Sequence, residues 1–380
     1  IVNTCTVTGK ADRKSRAALL AACRGSRVRM VAGIGCYTEL IKANDFNPGI
    51  NYFSIPQNKK SQACSLILDR LGIKDVWNEK KIEGMVSEHT RAFIKIQDGC
   101  REFCSYCRIP YARGMPASKP AEKILAEFSS LTANKVPEIV LSGINIGAYN
   151  DRGLELAGLI NKILNIDGPL LRISSIEPCH LTQQLIEIFP HPRLCRHLHI
   201  PLQSGSDRIL SEMGRKYDSQ FIHSLCGNIY KRCPEMALST DIITGYPGET
   251  GDDFESGLKL LTDCGFMRLH AFPYSARPGT AAAEKKDNIS SDCKKERVAD
   301  LMSLSGRLLS AYCRRQKKMR CRLVVEKTVK DSPDNYCEGT TDNYLKGRLK
   351  ARAQKGEVLD VILTGEQSGN CVFELAFRTD

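Results

Sequence analysis

Between residue 91 and about residue 285 six apolar runs recur with helical patterns between them: RAFIKIQ, EIVLSGI, LLRISSI, HLHIPL, ALSTDIITG and RLHAFPY. Strands that alternate with helices pair in parallel. Six of them over this length predict a parallel barrel or partial barrel, in which functional groups sit at the C-terminal ends of the strands. A chain of 380 residues exceeds what one hydrophobic core holds, about 250–300 residues. Further domains must flank the barrel.

The flanks read differently. IVNTCTV is strand-like, ADRKSRAALLAACR is an Ala- and Arg-rich helix, and VRMVAGIGCY is a strand ending in a Gly-Cys turn, so residues 1–75 form a small α/β unit. Residues 76–90 are charged and aperiodic and read as a linker. The barrel domain takes residues 91–318, ending in a basic helix over 290–318. Residues 319–380 show β-branched runs broken by the turn signals SPDN and TDN, the pattern of a small antiparallel β-barrel. The expected fold class is α/β, a partial parallel (β/α) barrel between an N-terminal α/β domain and a C-terminal β-barrel. There is no internal repeat.

The net charge of +12 is compatible with ordinary solubility and with a polyanionic partner such as nucleic acid. No run of about 18 apolar residues exists to span a membrane. Seventeen cysteines at irregular spacing are too sparse for a secreted disulfide scaffold and fit a reducing, cytoplasmic compartment. The chain starts Ile1-Val2-Asn3, without Met and as if inside a strand, from which a missing N-terminal segment is expected.

Three of the thiols crowd together in GCREFCSYC, directly after the first barrel strand. Zinc sites favour two Cys pairs, whereas Cys100, Cys104 and Cys107 stand with no fourth partner nearby. Three protein ligands leave one iron of a [4Fe-4S] cluster open. An open iron can chelate the amino and carboxylate groups of S-adenosylmethionine and pass an electron to its sulfonium. Tyr106, before the third Cys, would pack its ring near the adenine. The alternative reading is three structural thiols in a loop.

With those residues in view, the sequence resembles the radical-SAM superfamily, and more closely its methylthiotransferase family. The resemblance runs through NTCTVTGKADRKSR, GIGCY, IKIQDGCREFCSYCRIPYARG, LSGINIGAY, LRISSIEP, HLHIPLQSGSDRILSEMGRKY, STDIITGYPGET and HAFPYSARPGT, almost the whole chain. It implies a second [4Fe-4S] cluster on three N-terminal cysteines, of which Cys5 and Cys36 match two; the third would lie upstream of Ile1. It implies S-adenosylmethionine contacts from Ser142 and Gly143, and from the later strand ends Ser174, Glu177, Gln203, Asp241 and Gly245. Strand-end capping is the alternative for each of these polar residues. The remaining twelve cysteines match no ligand position and read as structural.

The same resemblance makes the C-terminal barrel a TRAM-like RNA-binding domain and the substrate a tRNA anticodon stem-loop. Arg314, Arg315, Lys317, Lys318 and Arg320 at its entrance, and Arg13, Lys14 and Arg16 on the first helix, are either phosphate contacts or a solvated face. His180, His191, His197 and His199 read as buried hydrogen-bonded imidazoles rather than metal ligands.

NTCTVT, LSGINIGAY and LRISSIEP look most like the branch that methylthiolates threonylcarbamoyl-adenosine beside the anticodon. The branch acting on isopentenyl-adenosine is the alternative, followed by the one modifying a ribosomal-protein aspartate, and by an inactive tRNA-binding homologue. A flavodoxin or ferredoxin as electron donor and a separate sulfur donor are implied with the chemistry. Arg108, Met115-Pro116-Ala117-Ser118 and Gly251 depart from the usual family residues.

Overall fold

The computed structural model describes residues 1–25, 27–41, 46, 52–73, 90–329, 336–367 and 369–376. The expected linker over 76–90 lies, except for Thr90, outside them. Two compact units emerge, and they are not simple consecutive segments. The first joins Ile1–Met85 to Gly99–Met115 and Ser275–Lys286; the second comprises Val86–Asp98, Pro116–Tyr274 and Asp287–Asp380.

In the first unit β1 (Val2–Thr4), β2 (Val31–Gly35) and β3 (Tyr52–Ser54) form a parallel sheet in the order β1-β2-β3. The helix Gly9–Arg24 connects β1 to β2, capped by Thr8, whose hydroxyl accepts from the Ala11 amide. Leu19 of that helix packs with Val31, Tyr37 and Phe46 in a small core. The loop 99–115 and its short helix Ile109–Arg113 also belong here, packed beside the helix Cys36–Leu40.

The tie to segment 275–286 is ionic. Arg277, 3 % exposed, donates from one terminal nitrogen to Thr6 O (2.8 Å), Thr6 Oγ1 (2.7 Å) and Asp12 Oδ2 (2.7 Å). A buried guanidinium is tolerated because the carboxylate and two oxygen acceptors replace its water.

In the second unit β4 (Arg91–Lys95), β7 (Glu138–Ser142) and β10 (Leu170–Ile173) form one parallel sheet in the order β10-β7-β4. A second one runs β11 (His197–His199), β12 (Ala237–Thr244), β13 (Arg268–Pro273). These are the six strands expected from the sequence. An isolated parallel bridge from Leu171 to Leu194 and the bond from Cys195 N to Leu171 O (2.8 Å) join β10 to the chain leading into β11. Short pairs β5 (Gln97–Asp98) with β6 (Ala117–Ser118), and β8 (Asn150–Asp151) with β9 (Leu154–Glu155), complete this part.

β10 is buried at every residue and β7 at every residue but its last, because helices pack an apolar core on one face while on the other Leu170 packs with Val324 and Arg172 bonds Glu138 and the carbonyls of Thr341 and Asp342. Phe128 of helix Ala121–Ala133 and Leu159, Ile160 and Ile163 of helix Leu156–Leu164 belong to that core with Ile94, Ile139 and Leu171.

After the helix Ser291–Arg315 the chain closes a barrel of β14 (Arg320–Val329), β15 (Tyr336–Thr341), β16 (Lys346–Leu349), β17 (Val358–Gln367) and β18 (Asn370–Leu375), in the order β14-β15-β16-β18-β17. The expectation of an antiparallel barrel needs one correction: four seams are antiparallel, but β16 and β18 pair in parallel. β17 intervenes between these two in the chain and returns to pair with β14, so β18 must run along β16 in the same direction to close the ring. Alternation in β16 and β18 puts Gly347, Leu349, Cys371 and Phe373 inside and the charged residues outside.

Candidate functional site

The three-thiol loop is shaped by backbone that other residues could not supply. Gly99 has φ +76°, and a Cβ there would lie 2.1 Å from Met115 O, so only glycine turns the chain at this point. The Cys100 amide donates to Gly114 O (3.0 Å) and the Cys107 amide to Cys104 O (2.9 Å), which folds the loop back on itself. Phe103 takes φ +46°, a conformation seldom adopted by an aromatic residue, between the first two thiols.

Amides aim at the sulfurs: Glu102 N lies 3.5 Å from Cys100 Sγ and Ile109 N 3.4 Å from Cys107 Sγ. N–H donors directed at sulfur stabilise thiolates and are among the groups that tune an iron–sulfur cluster. Cys100, Cys104 and Cys107 are each partly exposed. A looped set of three soft donors with converging amides fits a [4Fe-4S] cluster. Tyr106 sits in the turn between Cys104 and Cys107, partly buried.

The same unit carries the other two candidate ligands. Cys36 begins a helix directly after β2, is 5 % exposed, and its Sγ accepts from Arg113 Nε at 3.0 Å and from Gln57 Nε2 at 3.9 Å. Cys5 follows β1 and is exposed, its backbone clamped by the Ser15 hydroxyl, which accepts from Cys5 N (3.0 Å) and donates to Cys5 O (2.9 Å). Arg113 on Cys36 escaped the sequence reading, because the two lie 77 positions apart and no local pattern links them. Arg108 lies near Asp12 (3.9 Å), and burial together with the Arg277 charge lowers its pKa.

In the second unit the expected cofactor contacts lie at or beyond the C-terminal end of a parallel strand, except Asp241: expected at a strand end, it sits inside β12, because that strand stays in register with β13 as far as Thr244. Ser142 ends β7 and donates from Oγ to Ile94 O (3.3 Å), with Gly143 exposed behind it. Ser174 follows β10, its amide on Leu141 O (3.1 Å). Gln203 has φ +71° and is locked to β12 through Asp241 O (2.9 Å) and the Ile243 amide (2.8 Å). Gly245, φ +71°, gives its amide to Glu249 Oε2 (2.6 Å), and a Cβ there would meet Lys294 Cγ at 2.4 Å.

Glu249 holds the GYPGET turn. It is 7 % exposed, and burial raises its pKa despite the Gly245 amide and Arg297, whose terminal nitrogen lies at 2.5 Å. Glu177 is paired with Arg215. Burial alone would raise the pKa of Asp241, yet hydrogen bonds from His199 (3.1 Å) and His270 (3.2 Å) hold it well below the usual carboxylate range.

All four histidines weighed in the sequence are hydrogen-bonded, but of these only His197 is buried. Its Nε2 meets Ser239 Oγ at 2.9 Å, its ring stacks on Tyr344, and burial keeps it neutral, far below the ordinary imidazole pKa. His270 was missed because RLHAFPY reads simply as a strand, and Arg215 and Arg297 because they reach the site from helix and loop positions without a motif of their own. Arg314, Arg315, Lys317, Lys318 and Arg320 are all exposed where the long helix leads into β14, as are Arg13, Lys14 and Arg16 on the first helix.

A thiol loop directly after the first of six parallel strands, with polar groups at the later strand ends, defines a radical-SAM protein, and residues 94–261 match the Radical SAM superfamily. The fold is shared with the radical S-adenosylmethionine methyltransferase TsrM from Kitasatospora setae, with a TM-score of 0.59 at 14% identity over 74% of this chain and 64% of that one. Closer in sequence is the threonylcarbamoyladenosine tRNA methylthiotransferase MtaB of Bacillus subtilis (strain 168), 32% identical over 363 residues, 91% of this chain and 80% of the relative. Its counterpart in Chlamydia pneumoniae is 37% identical over 87% of this chain and 78% of its own length. The chain belongs to the radical-SAM methylthiotransferase family. Membership implies one [4Fe-4S] cluster and S-adenosylmethionine.

Proposed function

We infer that this protein is a tRNA methylthiotransferase that places a methylthio group on C2 of N6-threonylcarbamoyladenosine beside the anticodon. The observation that carries the reading is 30–37% identity, across 87–92% of the chain, to four relatives named for that activity. The runner-up substrate is dimethylallyladenosine in tRNA: the synthase of Bordetella avium is 34% identical, but over only 73% of this chain.

Cys100, Cys104 and Cys107 would hold the cluster, leaving one iron for S-adenosylmethionine. When bound, the cluster supplies the electron that cleaves S-adenosylmethionine, opening radical chemistry at an aromatic C–H bond beyond the reach of acid or base. The chain's own part is positional. Tyr106 offers a ring beside the third thiol, Ser142, Gly143, Ser174 and Gln203 offer polar and backbone groups at strand ends, and Gly245 lets the backbone approach a flat ligand. Glu177, beyond β10, offers a carboxylate to amino and hydroxyl groups, whereas Asp241 faces His199 and His270 from inside β12.

Cys5 and Cys36 would be two ligands of a second cluster that holds the sulfur to be transferred, with Arg113 donating to Cys36. Arg314, Arg315, Lys317, Lys318 and Arg320, all exposed at the mouth of the β-barrel, would meet tRNA phosphates. A flavodoxin- or ferredoxin-class donor and a sulfur source complete the reaction.

Mass spectrometry of tRNA nucleosides from cells with and without the gene tests the reading. Loss of the methylthio group from threonylcarbamoyladenosine is expected; loss from the isopentenyl nucleoside moves the assignment to the runner-up. With no nucleoside changed, release of 5′-deoxyadenosine from S-adenosylmethionine under reductant separates an enzyme with a protein substrate from an inactive tRNA binder.

A further inference from the structure

Asp241 is gripped by two imidazoles, and the strand register explains why. In β12 it pairs directly with His270 of β13, while His199 of β11 pairs with Ser239, two residues before Asp241. Residues two apart on a strand share a face, so Ser239 and Asp241 point the same way and draw His199 and His270 to one spot. His199 Nε2 lies 3.1 Å and His270 Nδ1 3.2 Å from Asp241 Oδ1, and the donor atoms of all three groups fall within 4.8 Å of one another.

Those spacings suit a shared cation. Ligands about 2.0–2.1 Å from a tetrahedral zinc-class ion stand about 3.3 Å apart. The outer contacts suit it as well: His199 Nδ1 lies 2.9 Å from Ser239 Oγ, so when a cation replaces the Nε2–H···Asp241 hydrogen bond the proton can sit on Nδ1 and be donated to Ser239, freeing the Nε2 lone pair for the ion. The His199 ring is further fixed by stacking on His270, centroids 5.3 Å apart. One side stays open, the His270 side chain being 46% exposed against 12% for His199.

We propose that His199, Asp241 and His270 bind a divalent first-row metal of the zinc class through two nitrogens and one oxygen. A fourth position is left for water or an oxygen or nitrogen donor such as a carboxylate. Imidazole and carboxylate favour such ions, whereas iron–sulfur clusters take the softer thiolates, so donor chemistry separates this site from the cysteines. The site stands on geometry in the second unit and does not depend on the assignment of the tRNA substrate.

Cobalt(II) titrated into the full chain after cluster reconstitution and desalting tests it. The expected result is one equivalent bound with visible d–d bands and no thiolate-to-cobalt charge transfer, displaced by zinc. His270→Ala should weaken it by at least about 100-fold, and Ser239→Ala by about 10- to 100-fold, the usual effect of removing an outer partner. His270→Gln keeps a donor for Asp241 but removes the imidazole; a folded, unaltered circular dichroism spectrum with cobalt binding lost supports ligation over mere hydrogen bonding. Equal cobalt affinity in wild type and His270→Gln, charge-transfer bands on all bound cobalt, or no binding by the wild type would each overturn the proposal.

Discussion

Glu138→Gln probes how the second unit is held together. Glu138, at 0% exposure, accepts from Arg172 Nε (2.6 Å) and a terminal nitrogen of Arg172 (3.1 Å), and from Arg91 Nε (2.7 Å). Arg172, 4% exposed, also donates to Thr341 O (3.1 Å) and Asp342 O (3.2 Å), so the carboxylate fixes the charge that ties β10 to the β15–β16 turn of the barrel. Removing the carboxylate charge leaves that guanidinium buried with two carbonyls, at a cost of about 3–5 kcal/mol. Hydrogen exchange of the β10 amides and of residues 340–345 should show local opening free energies lowered by that amount. In a cycle with Arg172→Met, the two changes should couple by up to about 3 kcal/mol. Burial raises the Glu138 pKa, but Arg172 and Arg91 outweigh it and the net shift is downward. The stabilisation is therefore present above the unfolded carboxylate value, about 4.3, and is lost as pH falls through the lower folded value. A loss below about 1 kcal/mol in the exchange experiment, or additive single changes, would refute the reasoning.

Other outcomes follow from the same structure. Gly99→Ala, with its Cβ forced onto Met115 O, should abolish iron retention after reconstitution, whereas Gly114→Ala, also at positive φ but with no atom within 4 Å, should keep most of its iron at a cost of about 1 kcal/mol in stability. Because burial lowers the His197 pKa, folding keeps this ring neutral; stability should be full above about pH 6.5 and decline below it by up to about 1.4 kcal/mol per pH unit, a slope absent from His197→Gln in denaturant titrations. If Arg314, Arg315, Lys317, Lys318 and Arg320 meet phosphates, replacing each by Ala should lower the slope of log affinity for tRNA against log salt by about 0.7–0.9 for every phosphate no longer neutralised, and an unchanged slope would remove them from the interface.

Local order was legible along the chain because it rests on periodicity and turn chemistry. The six parallel strands, the first helix, the long helix before the barrel and the strand-rich C-terminus all lie where apolar spacing puts them. So does the thiol loop, since Cys100, Cys104 and Cys107 are close in sequence and their spacing can be read without knowing any distant contact. Only the fold decides what distant segments do to one another. The parallel β16–β18 seam, Arg277 buried against Asp12, Arg113 on Cys36, and two imidazoles on Asp241 join residues as much as 265 positions apart. Pattern carries the preferences of neighbouring residues, whereas such pairings follow from strand register and chain reversal, which are settled when whole sheets pack and buried charges find the partners that replace water.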